Sequence, residues 1–114
     1  MITVQFWDGA DGSINLRMHG HAGAGRKGRD LICAGASTLA LALAEGVKFC
    51  QEGEMLARPA QVWLEEGLAE ITVLPKQEWA IAVWSMTLAV RLGLQRLARA
   101  YPQYVQMKGG DDDE

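Results

Sequence analysis

The sequence predicts an α+β fold, a mainly antiparallel sheet of four or five strands with two helices packed over it. Three patterns carry this. Apolar and polar residues alternate at residues 2–7, 14–19, 61–65 and 69–73, the period of half-buried strands. Long apolar segments near 31–50 and 79–97 instead recur at three and four residues, the period of helices. Finally, the order strand, strand, helix occurs twice without any repeat of the sequence itself.

In the first strand Ile2, Val4 and Phe6 share one face and Thr3, Gln5 and Trp7 the other. DGADG supplies a turn, and Ile14, Leu16 and Met18 then point to the core with Asn15, Arg17 and His19 away from it, predicting a hairpin. From Gly20 to Arg29 periodicity stops in GHAGAGRKGR, a glycine-rich loop. Asp30 stands where an N-cap belongs, and Leu31, Gly35, Leu39, Leu43 and Val47 follow at fourfold spacing, predicting a helix to about Cys50. Between Leu31 and Val47 only Ser37, Thr38 and Glu45 are polar, so this helix requires cover on more than one side, from the sheet and from its neighbouring helix or another subunit.

GEMLARPA connects to a second hairpin, in which Val62 and Leu64 alternate with Gln61, Trp63 and Glu65, a turn lies near Gly67, and Ala69, Ile71 and Val73 alternate with Glu70 and Thr72. Pro75 closes it. Trp79, Val83, Met86, Val90, Leu94 and Leu97 form the stripe of an amphipathic helix, a pattern that reads as core more than as a binding surface. A short strand is expected at 104–107. Residues 1–108 therefore read as a single domain and 109–114, GGDDDE, as a flexible acidic tail with nothing to bury.

Composition narrows the function classes. The 114 residues are 49% hydrophobic and 22% charged, a globular composition. The net charge is −3, but four acids end the tail, leaving a body close to neutral and no broad basic footprint for nucleic acid. The first residues, MITVQFWDG, have no basic leader or long apolar run, and the apolar stretch at 31–44 is shorter than the roughly 18–20 residues needed to cross a bilayer. A cytoplasmic protein without a membrane partner is expected. Its two cysteines, Cys33 and Cys50, are expected as free thiols, which leaves sulfur available for chemistry.

With Asp30 as N-cap, Cys33 falls in the first helical turn, where unpaired amides and the helix dipole favour negative charge. The thiolate is the nucleophilic form of cysteine, and Arg26, Lys27 and Arg29 add positive charge nearby. His21 lies just past the second strand, on a loop flexible enough to bring its imidazole over the helix start. The pair then has the parts for peptide cleavage: a sulfur nucleophile and a base that accepts its proton and later returns it to the leaving amine. Ser37, one turn after Cys33, either bonds a preceding carbonyl or faces the same cleft.

Blander readings stand beside these. Cys33 fits an alanine-rich core helix, His21 a solvated loop, and Asp30 a cap with no catalytic duty beyond orienting His21. His19, His21 and Cys33 supply three zinc-ligand types, but no closely spaced cysteine pair accompanies them, so no metal is expected. Gly23, Gly25 and Gly28 match a dinucleotide fingerprint in spacing but follow an antiparallel hairpin, so no cofactor is expected either. The alternative function is a noncatalytic, ribosome-associated RNA- or protein-binding module, with Arg26, Lys27 and Arg29 on phosphates.

The segment GHAGAGRKGRDLICAGAS resembles the signature of the bacterial ribosomal-processing cysteine proteases: Gly-His-Ala, then Gly-x-Asp, then a cysteine at the start of a helix. The matching positions are Gly20, His21, Ala22, Gly28, Asp30, Cys33 and Ser37, and the Met1-Ile2 start and element order extend the likeness over residues 1–107. The resemblance implies a catalytic dyad of His21 and Cys33, with Asp30 at the neighbouring conserved acidic position. It also implies a homodimer and, as substrate, the N-terminal extension of large-subunit ribosomal protein twenty-seven. Gly20, Ala22, Gly23, Gly25 and Gly28 would belong to a loop closing over the extended peptide. Many relatives carry an aromatic residue at the position of Ala24 and Val-Cys-Ala-Ala at the position of Ile32 to Gly35, departures that bear on substrate preference rather than on the dyad.

Overall fold

A computed structural model describes residues 1–26 and 29–109; Lys27, Gly28 and residues 110–114, with most of the expected acidic tail, lie outside the described residues. Strands β1 (Ile2–Asp8) and β2 (Ile14–Gly20) form the first hairpin. Its turn closes by a Gly9 amide donating to the Ser13 carbonyl at 2.8 Å and a Ser13 amide donating to the Asp11 carboxylate at 2.9 Å. Helix α1 (Leu31–Glu52) leads to β3 (Gln61–Glu65) and β4 (Leu68–Val73), and α2 (Ala80–Ala100) leads to β5 (Val105–Lys108).

The sheet order is β3-β4-β2-β1-β5, antiparallel throughout except for the parallel pair of β1 and β5. This pairing makes both helices crossovers. β2 and β3 run the same way with β4 between them, and β4 and β5 run the same way with β2 and β1 between them. The two crossovers start from strands of opposite direction and move across the sheet in opposite senses. With right-handed connections, both helices then arrive on the same face. α1 and α2 do pack against each other there.

The expected alternation of β1, β2 and β4 matches the observed core. Val4, Phe6, Leu16, Ile71 and Val73 are buried on the helix side against Ala36, Ala40, Leu43 and Val47 of α1 and Val83 and Leu94 of α2. On the other face Thr72 donates its hydroxyl to the Asn15 side chain at 2.8 Å, and Arg17 pairs with Glu70. β3 departs from the expected half-buried strand. Val62 and Leu64 lie across from Ile71 and Ala69 and so share their face, yet every residue of β3 is exposed, because β3 is an edge strand that the helices leave uncovered.

Two helical expectations also change. α1 extends 22 residues, to Glu52, and by length and composition is long enough to cross a membrane, unlike the 31–44 stretch taken alone. Its inner face nevertheless lies in the core, while Leu31 and Phe49, 84% and 71% exposed, point outward. At α2, Trp79 ends a 3-10 turn (Gln77–Trp79) ahead of the helix and is exposed, so the buried stripe begins at Val83.

Candidate active site

The local sequence determines how α1 begins. Asp30 holds extended backbone angles, and its carboxylate accepts hydrogen bonds from the Cys33 amide at 2.9 Å and the Ala24 amide at 3.0 Å. One side chain thus caps the helix and fastens the preceding loop to it. The bond from the Cys33 amide is the largest of the contacts that hold the Asp30 carboxyl below its ordinary range. The Ala34 amide donates to the Asp30 carbonyl at 2.9 Å, so the amides of Cys33 and Ala34 are both engaged.

Cys33 is partly exposed and opens into a cavity of about 770 Å³. The cavity lies between the first turns of α1, the loop and the β3–β4 turn. His21, Asp30, Ser37, Gly20, Gly23 and Gly25 line it with Cys33, so most of the residues singled out from sequence come together at one place. Ser37 is exposed on the cavity side. Gly28 lies outside the described residues. Ala22, expected in the substrate loop, is 5% exposed and belongs to the core cluster, where its side chain anchors the loop.

His21 follows a sharp bend at Gly20, whose φ of +101° favours glycine and whose hypothetical Cβ would lie 2.2 Å from the Met1 carbonyl oxygen. The Gly20 amide donates to the Gly67 carbonyl at 2.9 Å, the next rung beyond the pairing of His19 with Leu68. Turned out of the strand there, the His21 side chain is exposed at the cavity, and the backbone nitrogen of Met1 donates to its carbonyl. His19 stays on β2 and does not line the cavity. Among the described residues no group of three or more His, Cys, Asp or Glu side chains is placed to hold a metal ion.

Several cavity residues had no individual signal in the sequence. Ile2, Met18 and Ala69 from the sheet, Ala40 and Leu41 from α1, and Leu64, Glu65 and Gly67 around the β3–β4 turn complete a largely apolar lining. Those of β4 and the β3–β4 turn reach the site because β4 pairs with β2, a contact between distant segments. Cys50 is elsewhere: it is 3% exposed, its sulfur lies 3.8 Å from that of Met86, and burial pushes its thiol up from the ordinary range.

The sequence matches the family model of cysteine protease Prp over residues 1–106. The chain belongs to that family. Solved structures show the Prp fold in full. The ribosomal processing protease Prp from S. aureus, in complex with a covalently linked product peptide, aligns at a TM-score of 0.71 and 21% identity over 96% of this chain and 99% of that one. SMU.848 from Streptococcus mutans aligns at 0.67 and 26% identity, covering 96% and 94%. The S. aureus protease with a substrate peptide aligns at 0.62 and 21%, covering 96% and 99%. A search of curated proteins returns no significant match. Of the two thiols in this Prp-family chain, only Cys33 lines the cavity.

Proposed function

We propose that this chain is an endopeptidase in which Cys33 is the nucleophile and His21 its base. The observation that carries this reading is the shared cavity: the accessible thiol stands in the first turn of α1, and the imidazole reaches the same space from the end of β2. Transfer of the Cys33 proton to His21 yields thiolate and imidazolium. The thiolate adds to the peptide carbonyl carbon, and the resulting oxyanion collapses as the C–N bond breaks and His21 returns the proton to the departing amine. Water then attacks the thioester, His21 takes a proton from it, and breakage of the C–S bond frees the acid and a thiolate, to which His21 returns the proton to restore the thiol. Asp30 holds the loop and the helix start in register without entering the proton transfer.

The substrate we assign is the N-terminal extension of large-subunit ribosomal protein twenty-seven, cleaved in the cytoplasm. Ribosomal processing by the S. aureus relative supports this assignment, as does a cavity with apolar walls from Leu41, Leu64 and Met18, suited to apolar side chains of an extended peptide. Outward apolar side chains on both helices, among them Phe49 and Ile81, 71% and 81% exposed, support a homodimer. The decisive experiment incubates purified protein with peptides spanning the precursor end and identifies products by mass. A single defined cut that disappears in Cys33→Ala and is crippled in His21→Ala is expected. Site-specific cleavage persisting in Cys33→Ala would refute the mechanism, and salt-sensitive RNA binding without cleavage by the parent would replace it with the binding-module reading.

A further inference from the structure

The β3–β4 turn carries a residue that the proposed dyad does not include. Gly67 has a φ of +77°, and a Cβ built on it would lie 2.9 Å from Nε2 of His21 and 3.3 Å from Cε1. The imidazole therefore occupies the space that any side chain at this position would claim. The Gly67 carbonyl also accepts the Gly20 amide at 2.9 Å, so the turn holds the backbone immediately before His21 and meets the ring after it. His21 itself is exposed, and among the described residues no hydrogen bond holds its ring, which lies against this turn at the cavity.

We propose that Gly67 is a positioning residue for cleavage: its bare Cα is the backstop that keeps the His21 imidazole turned toward the cavity of Cys33. This inference rests on the reading of His21 as the base. It makes a third segment, distant in sequence from both members of the dyad, part of the machinery. It also separates two demands on one glycine. Left-handed backbone is a demand that asparagine meets tolerably, whereas the clearance for the ring is a demand that no residue with a Cβ meets. Because the ring is exposed, an added Cβ displaces the ring and leaves the fold standing.

The test compares Gly67→Asn and Gly67→Ala with Gly12→Asn, each first verified as folded by circular dichroism and thermal melting. Gly12 is the matched control, since it has a φ of +90° but its hypothetical Cβ meets only Leu74, at 3.8 Å. Both Gly67 variants are expected to lose about 100-fold in kcat/KM on the precursor peptide, the scale of an ångström-sized misplacement of a reacting group, with the loss in kcat and an altered pH profile. Gly12→Asn keeps the parental rate. In a His21→Ala background Gly67→Asn adds no further loss, because the group it displaces is gone.

Parental kcat/KM, within about twofold, in folded Gly67→Asn would overturn the proposal, as would an equal loss in the presence and absence of His21. Should both Gly67 variants fail to fold, the exposed ring has not yielded to the added Cβ, and the backstop account is overturned as well. Full activity of His21→Ala would identify a different failure, that of the dyad itself.

Discussion

Alkylation of the native protein should divide its two thiols by at least three decades in rate. Cys33 meets reagent in an open cavity, but Cys50 is 3% exposed on the inner face of α1 with its sulfur against Met86. Reagent reaches Cys50 only when the packing around it, Met86 of α2 included, opens. If this opening costs about 5 kcal/mol, the low end of a small domain's stability, the open fraction is about 2 × 10⁻⁴ and labelling slows by nearly four decades relative to a free thiol. The elevated thiol range of Cys50 acts in the same direction while the helix pair is closed. The assay is a time course with iodoacetamide at neutral pH, quenched and resolved by peptide mass. Cys33 labels first; Cys33→Ala leaves only the slow phase; sub-denaturing urea accelerates that phase as it raises the open fraction. Equal rates in native protein would refute one placement: both slow, the cavity placement of Cys33; both fast, the core placement of Cys50.

Other perturbations reach different parts of the molecule. Leu43→Ala removes a nearly fully buried side chain where α1 packs on the sheet and should cost about 2–5 kcal/mol in urea unfolding; a loss below about 1 kcal/mol would contradict the packing. Hydrogen bonds from the Ser13 hydroxyl and amide, then from Arg58, hold the Asp11 carboxyl down to about 2, so its contribution is complete above the ordinary unfolded value of about 4 and disappears as pH falls through 2. An NMR titration of Asp11 should show that midpoint, with a rise in both Ser13→Ala and Arg58→Ala. Phe49→Asp combined with Ile81→Asp should convert a dimer to monomer in sedimentation at unchanged helix content, and an unchanged sedimentation coefficient would remove the helical faces from the proposed interface.

The legible parts of this molecule are those whose cause is local. Asp30 before an apolar run is a capping signal that needs nothing distant, and it places Cys33 in the first turn, as found. The alternation of β1, β2 and β4 is likewise visible because one face of each is buried. Position within the sheet was not visible. Val62 and Leu64 have the pattern of a half-buried strand, but their exposure depends on where α1 lies relative to the edge. The parallel seat of β5 beside β1 depends on a crossover through α2. In the site, the glycine-rich stretch shows flexibility but cannot tell that Ala22 turns inward while Gly23 and Gly25 line the cavity. The meeting of Gly67 with His21 follows from the register of β2 on β4, which no short window of sequence contains.

The bond from the Cys33 amide to Asp30 has a consequence for inhibitor chemistry. When the sulfur adds to an aldehyde, a nitrile or the peptide carbonyl itself, negative charge develops on the oxygen or nitrogen beside it, and the addition is favoured by donors already waiting for that charge. Here the nucleophile's own amide is saturated by a carboxylate, and the next amide along the helix is tied to a carbonyl. Donors for that charge must therefore come from groups other than these two amides, for a bound inhibitor as for the substrate. Inhibitor selectivity is then drawn from groups that fill the apolar space near Leu41 and Leu64.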